Sequence, residues 1–200
     1  MPSFSLSIAI PATRLRPLVV ALFGIIALTV AAKIRVPFWP VPMTLQTLVV
    51  LLIGSAFGAR LAAATVASYL LAGSFGLPVF ANAAAIAGGV IYLTGPTAGF
   101  LFAMPFAAWI VGHSAERAAP RSYLNLLGPI AAATGLILLS GWTWLAFAAH
   151  LPGGANGVGP ASAFAVGIEP FVVGEVLKAS LALALSGRFG DQARAWTSGR

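Results

Sequence analysis

Glu175 and Lys178 lie within an otherwise apolar, helix-length run from Ala161 to Leu185. In hydrocarbon an isolated ionised group costs roughly 2.5–3.5 kcal/mol or more, so such residues usually face a cavity or a partner. Three positions apart on a helix, they project from nearly the same face. Together they offer an acceptor-rich carboxylate beside a donor-only ammonium, a combination able to hold a small polar ligand inside a membrane. A structural salt bridge between helices is the competing reading, but desolvation consumes most of the Coulomb gain of such a pair. Glu169, near the outer end of the same run, is read as solvated at the interface.

Other polar residues sit where apolar sequence gives them little excuse. Thr44 and Gln46 follow Pro40-Val-Pro42 at the start of a second apolar stretch. Thr44 could be an ordinary helix N-cap, whereas the amide of Gln46 both donates and accepts, which suits a urea, amide or carboxylate. Asn82 ends Gly76-Leu-Pro-Val-Phe-Ala-Asn82, where it could equally cap or turn the backbone. Phe38, Trp39, Phe80 and Tyr92 could wall the same pocket or form an interfacial aromatic belt. His113 and His150 have no second ligand at metal-binding spacing, and no metal or other cofactor is expected. Ser74 lacks a convincing catalytic base. No phosphate-cradling Gly-rich loop ending in Lys-Ser/Thr occurs, so the chain itself is not expected to hydrolyse ATP.

The elements that must position these residues are membrane helices. The chain of 200 residues is 60% hydrophobic and 8% charged, against about 25% charged in soluble domains. It is long enough for about six spans of ~20 residues. Six apolar segments are expected, at about Leu18–Ala32, Met43–Phe57, Leu61–Ala72, Thr97–Val111, Leu124–Phe147 and Ala161–Leu185. They give an all-α integral membrane domain over 18–187, flanked by a cytoplasmic segment 1–17 and a cytoplasmic polar tail 188–200. No Ala-x-Ala cleavage pattern follows the first segment, so it is read as a retained helix. The connection Lys33–Pro42 is too rich in proline for regular helix. Residues Gly73–Gly95 carry Gly, Pro and Asn82, and irregular backbone at membrane depth must be buried in protein or line a cavity.

Basic residues set the orientation. With both termini cytoplasmic, Arg14, Arg16, Arg60, Arg117, Arg121, Arg188, Arg194 and Arg200 fall inside, and only Lys33 and Arg35 outside; the reverse would violate the positive-inside bias. Three irregular loops then gather on the outer face, including Leu151–Pro160 with its glycine-rich turn. The formal charge of +7 is dispersed singly through apolar sequence, and no nucleic-acid partner is expected. Without cysteine there is no disulfide, thiolate metal site or thiol nucleophile.

Pro40-Val-Pro-Met-Thr-Leu-Gln-Thr-Leu48, Gly76-Leu-Pro-Val-Phe-Ala81, Gly95-Pro-Thr-Ala-Gly-Phe100 and Pro170-Phe-Val-Val-Gly-Glu-Val-Leu-Lys178 closely resemble motifs of the BioY family, in the same order. These are the biotin-specific substrate-binding (S) components of energy-coupling factor (ECF) transporters. The resemblance extends from about Leu18 to Leu185 and implies the six-helix S-component fold in a prokaryotic cytoplasmic membrane. It implies biotin as substrate, a transmembrane T component and two ATP-binding cassette ATPase subunits as partners, and no enzymatic activity. It maps the family's acidic residue and lysine onto Glu175 and Lys178, a loop asparagine onto Asn82, and a small-residue docking face for the T component onto Ala27 and Ala31. Glu175 departs from the family's usual Asp, and Asn82-Ala-Ala-Ala stands where glycines often follow. Alternatives within reach are an S component for another vitamin, or a biotin permease working without ATPase subunits.

Overall fold

The structure is a computed structural model that describes residues 12–82, 89–117, 123–151 and 154–198; side chains are described for 15–82, 89–117, 124–151, 154–187 and Gln192. Among the described residues seven α-helices carry the fold: α1 (Ala12–Lys33), α2 (Gln46–Phe57), α3 (Ala59–Ser74), α4 (Ala98–Arg117), α5 (Leu127–Phe147), α6 (Pro160–Gly167) and α7 (Val172–Ser198). Short 3-10 turns at Gly89–Thr94 and Tyr123–Leu126 precede α4 and α5. The first five apolar segments each become one helix. The sixth does not. Gly167 ends α6 and Pro170, which cannot donate a backbone N–H and disfavours helix in the residue before it, lies in the turn before Val172. Glu175 therefore stands in the first turn of α7 rather than mid-helix, where exposed N–H groups favour a carboxylate. Helix α7 continues through Ser198.

Three described helical stretches are long and apolar enough to cross a membrane: Leu15–Lys33, Ala98–Arg117 and Leu124–Phe147. Helices α2 and α3, with 12 and 16 residues, fall short of the ~20 that a span needs. Helix α7 has the length but carries Glu175 and Lys178.

Helix α4 is the hub, packing against α2, α3 and α5, while α7 lies along α2. Helices in lipid gain little from apolar burial and associate through close packing of small residues. A Cβ on Gly99 would sit 2.2 Å from that of Trp144, and one on Gly112 would sit 2.6 Å from the Ala59 nitrogen. These contacts seat α4 against α5 and against the start of α3. At that start, Glu116 Oε1 accepts the Ala59 N–H at 2.9 Å, supplying the cap that Gly58 lacks.

The Pro-rich connection forms a two-stranded hairpin, β1 (Arg35–Val36) against β2 (Met43–Thr44), with Arg35 opposite Thr44. Lys33 Nζ donates to Phe80 O at 2.6 Å and Arg35 Nη1 to Ala81 O at 3.0 Å. His150 N–H donates to Thr94 O at 2.9 Å. The three irregular connections thus meet at one end of the bundle. Of the residues used to set orientation, Arg14, Arg121, Arg188, Arg194 and Arg200 have side chains outside the described set, as does the stretch 83–88 that follows Asn82.

Candidate functional site

Beneath those connections lies a recess enclosing about 520 Å³ of space, counting its mouth and the part open to solvent. Its walls are mostly apolar: Phe80, Tyr92, Phe100, Leu101, Met104, Ile137 and Phe171. The break between α6 and α7 places Phe171 there, stacked on Phe100 with ring centroids 6.0 Å apart. Phe80 stacks on Tyr92 at 4.6 Å and meets Tyr69 edge-on at 5.5 Å. Its polar lining residues are Thr44, Gln46 and Thr47 of the β2–α2 segment, Glu175 of α7 and Thr97 just before α4.

Glu175 is 4% exposed, and its two carboxylate oxygens have different surroundings. Oε1 accepts from Lys178 Nζ in a short ion pair and from Thr47 Oγ1 at 3.2 Å. Oε2 is buried with no hydrogen-bond partner among the described residues. A buried polar atom left unpaired costs about 1–3 kcal/mol, more when charged. The charge-assisted pair on Oε1 holds the carboxylate fixed, leaving Oε2 as an unsatisfied acceptor on a residue that lines the cavity.

Lys178 occupies a different place from the one its spacing suggests. Its Nζ donates to Thr44 O at 2.9 Å as well as to Glu175. It lines an outer groove with Arg35, Met43 and Leu181 and is absent from the cavity wall. Lys178 thus braces Glu175 from behind and ties α7 to β2.

Gln46 is held just as firmly. Its Nε2 donates to Tyr69 Oη at 2.9 Å, its Oε1 accepts from Thr44 Oγ1 at 3.1 Å, and its backbone N–H reaches Thr44 Oγ1 at 3.3 Å. Tyr69 Oη in turn donates to Val79 O at 3.0 Å, beside the loop that Lys33 and Arg35 fasten. Tyr69 and Thr47 are the residues that sequence reasoning passed over. Thr47 was legible as the third polar residue at the start of an apolar helix, whereas nothing in the sequence marks Tyr69.

The remaining expectations divide. Asn82 is half-buried in the turn after Phe80, outside the cavity lining. Phe80 and Tyr92 line the cavity. Trp39 is 78% exposed, and Phe38 packs on Phe171 at 6.1 Å from outside that lining. Ala27 is half-buried and Ala31 is buried within the bundle, while Leu22, Phe23, Ile26 and Val30 form the outward face of α1. Glu169 is exposed. Among the described residues no group of three His, Cys, Asp or Glu could hold a metal ion.

Comparison with known proteins places this site in context. The sequence profile of the BioY family matches residues 5–194. A Pyrococcus horikoshii protein named "Probable biotin transporter BioY" is 37% identical over 170 residues, covering 84% of this chain and 92% of that one. The "Biotin transporter BioY" of Thermotoga maritima is 35% identical over 159 residues, covering 80% and 86%. The fold matches a crystal structure of the S-component for biotin from an ECF-type ABC transporter with a TM-score of 0.74. That match covers 92% of this chain and 95% of the other, at 20% identity.

Proposed function

The chain belongs to the BioY family, and from that premise we propose that it binds biotin in the cavity beneath the joined loops and serves as the substrate-binding component of a vitamin uptake transporter. It is a membrane transport component and not an enzyme. The observation that carries the ligand assignment is Glu175 Oε2, a buried carboxylate oxygen without a partner. Biotin has two ureido N–H groups, and one of them supplies the donor that this oxygen lacks. The bicyclic ring then lies among Phe80, Phe100, Tyr92 and Phe171. Thr44, Gln46 and Thr97 offer hydroxyl and amide groups to the remaining polar atoms.

In this reading Glu175 touches the ligand and Lys178 is a positioning residue that keeps Glu175 oriented. Asn82, in the turn after Phe80, adds a side-chain amide from the loop. Six membrane crossings with both termini cytoplasmic set the cavity near the outer face, and delivery inward uses a T component docked on α1 around Ala27 and Ala31, together with two ATPase subunits. Because Ala31 is buried here, contact there requires α1 to shift against its neighbours.

A site built to hydrogen-bond a group rejects an analogue without it, because its own polar atoms are left unpaired. Equilibrium titration of the purified chain with biotin, thiamine and riboflavin tests the assignment. Saturable binding of biotin alone is expected; equal or tighter binding of another vitamin would overturn it.

A further inference from the structure

Helix α4 carries a second feature, remote from the cavity. Phe102, Phe106, Trp109, His113 and Arg117 recur at spacings of four, three, four and four, which places them on one helical face. Phe106 is 66% exposed and Trp109 45%. With Leu136 and Ser140 of α5, the aromatic part of this face lines an outer groove of about 710 Å³. Ser140 adds no free hydroxyl hydrogen to it, since its Oγ donates to Gly99 O at 2.9 Å.

The groove ends in an ordered polar head. The Trp109 and His113 rings stack with centroids 4.8 Å apart. Arg117 Nη1 lies 2.7 Å from His113 Nδ1 and donates to His113 O at 3.2 Å. A guanidinium has no acceptor, so His113 Nδ1 must accept, and the neutral ring then carries its hydrogen on Nε2 as a donor. At least three of the five guanidinium N–H groups remain beyond these two contacts. The neighbouring acid does not neutralise the head, because Glu116 is turned inward onto Ala59 N–H.

Length supplies the second argument. From Phe102 to His113 the helix rises about 16 Å at ~1.5 Å per residue, close to half of a hydrocarbon core ~30 Å thick. An aromatic and apolar groove one leaflet deep therefore leads, past a tryptophan stacked on His113, to the planar cation of Arg117, and tryptophan favours the headgroup level. Guanidinium groups match phosphate geometry through paired N–H donors.

We propose that this face of α4 is a binding site for one anionic phospholipid, its phosphate on Arg117 and His113 and an acyl chain along Phe102, Phe106 and Trp109. It is independent of the biotin assignment. The test uses native mass spectrometry of the detergent-purified full chain with dioleoylphosphatidylglycerol or dioleoylphosphatidylcholine, which share their tails. The anionic lipid is expected to bind in preference. Arg117→Gln should lower its occupancy about fivefold, the worth of one basic residue at an anionic surface, with a smaller fall for the zwitterionic lipid, whose phosphate its own choline balances, and biotin affinity unchanged. Phe106→Ala should weaken both lipids alike. Glycerol 3-phosphate, the head without tails, should not displace the bound lipid. Equal occupancy by the two lipids, or an Arg117→Gln variant that folds and holds the anionic lipid as before, would overturn the site. So would displacement by glycerol 3-phosphate, which marks a free-phosphate site, or no lipid at all, as for a face that docks a protein helix. His113→Gln provides an independent check on the head, with a loss in the same direction.

Discussion

Replacing Glu175 by Gln isolates the charge from the shape. In the wild type, Oε1 faces two donors, Lys178 Nζ and Thr47 Oγ1, while Oε2 has none. The glutamine amide must keep its oxygen toward those donors, because the reverse would set its NH2 against an ammonium. Its NH2 group then occupies the place of Oε2 and presents hydrogens where a ureido N–H is expected to arrive. A hydrogen bond to a charged group contributes about 1.5–3 kcal/mol. At ~1.4 kcal/mol per tenfold, biotin affinity should fall about 10–150-fold. Isothermal titration on detergent-purified protein reads this directly, with elution volume on a sizing column as the check on folding. Lys178→Met and the double variant Glu175→Gln/Lys178→Met complete a cycle. Lys178→Met leaves a buried carboxylate charge uncompensated and should cost several kcal/mol of stability, of order 3–5 kcal/mol. The double variant should regain much of that loss without regaining affinity. A folded Glu175→Gln protein that binds biotin within twofold of wild type would refute the reasoning.

Gly73→Ala should both lower the melting temperature and weaken binding, because its Cβ would lie 2.1 Å from the Phe80 ring; overpacking of this kind costs about 1–3 kcal/mol, and thermal melts with titration measure it. Tyr69→Phe removes the donor to Val79 O and the acceptor for Gln46 Nε2; each buried group left unpaired costs about 1–3 kcal/mol, read as a fall in the melting temperature. Lys33→Ala frees the Phe80 carbonyl from α1. A single hydrogen bond contributes ~0.5–1.5 kcal/mol net, so ligand release should quicken about two- to tenfold in a stopped-flow chase with unlabelled biotin.

The charge pair was legible because ionised residues three apart in an apolar run have few places to go, and the structure does put them in contact. Which of the two faces the cavity was not legible. That depends on Pro170 breaking the last segment, which turns Glu175 inward at a helix start and leaves Lys178 on the β2 side. The proline and the preceding Gly167 were visible signals of that break, but continuous apolarity outweighed them. Lys33 and Arg35 stood out only as exceptions to the charge bias, whereas they fasten the 80–81 carbonyls across more than forty residues of sequence. Local pattern has no access to contacts of that range. The same holds for Tyr69, an unremarkable helical tyrosine until Gln46 and Val79 O converge on its hydroxyl. The small-residue pattern at Ala27 and Ala31 was real as a packing signal, yet Ala31 spends it inside the subunit.

A structure of the chain with biotin bound would examine the central assignment most directly. A ureido nitrogen should lie within ~3.2 Å of Glu175 Oε2, with Lys178 still bridging Glu175 and Thr44 O. Biotin seated elsewhere, or seated in the cavity with that oxygen still unpaired, would contradict it.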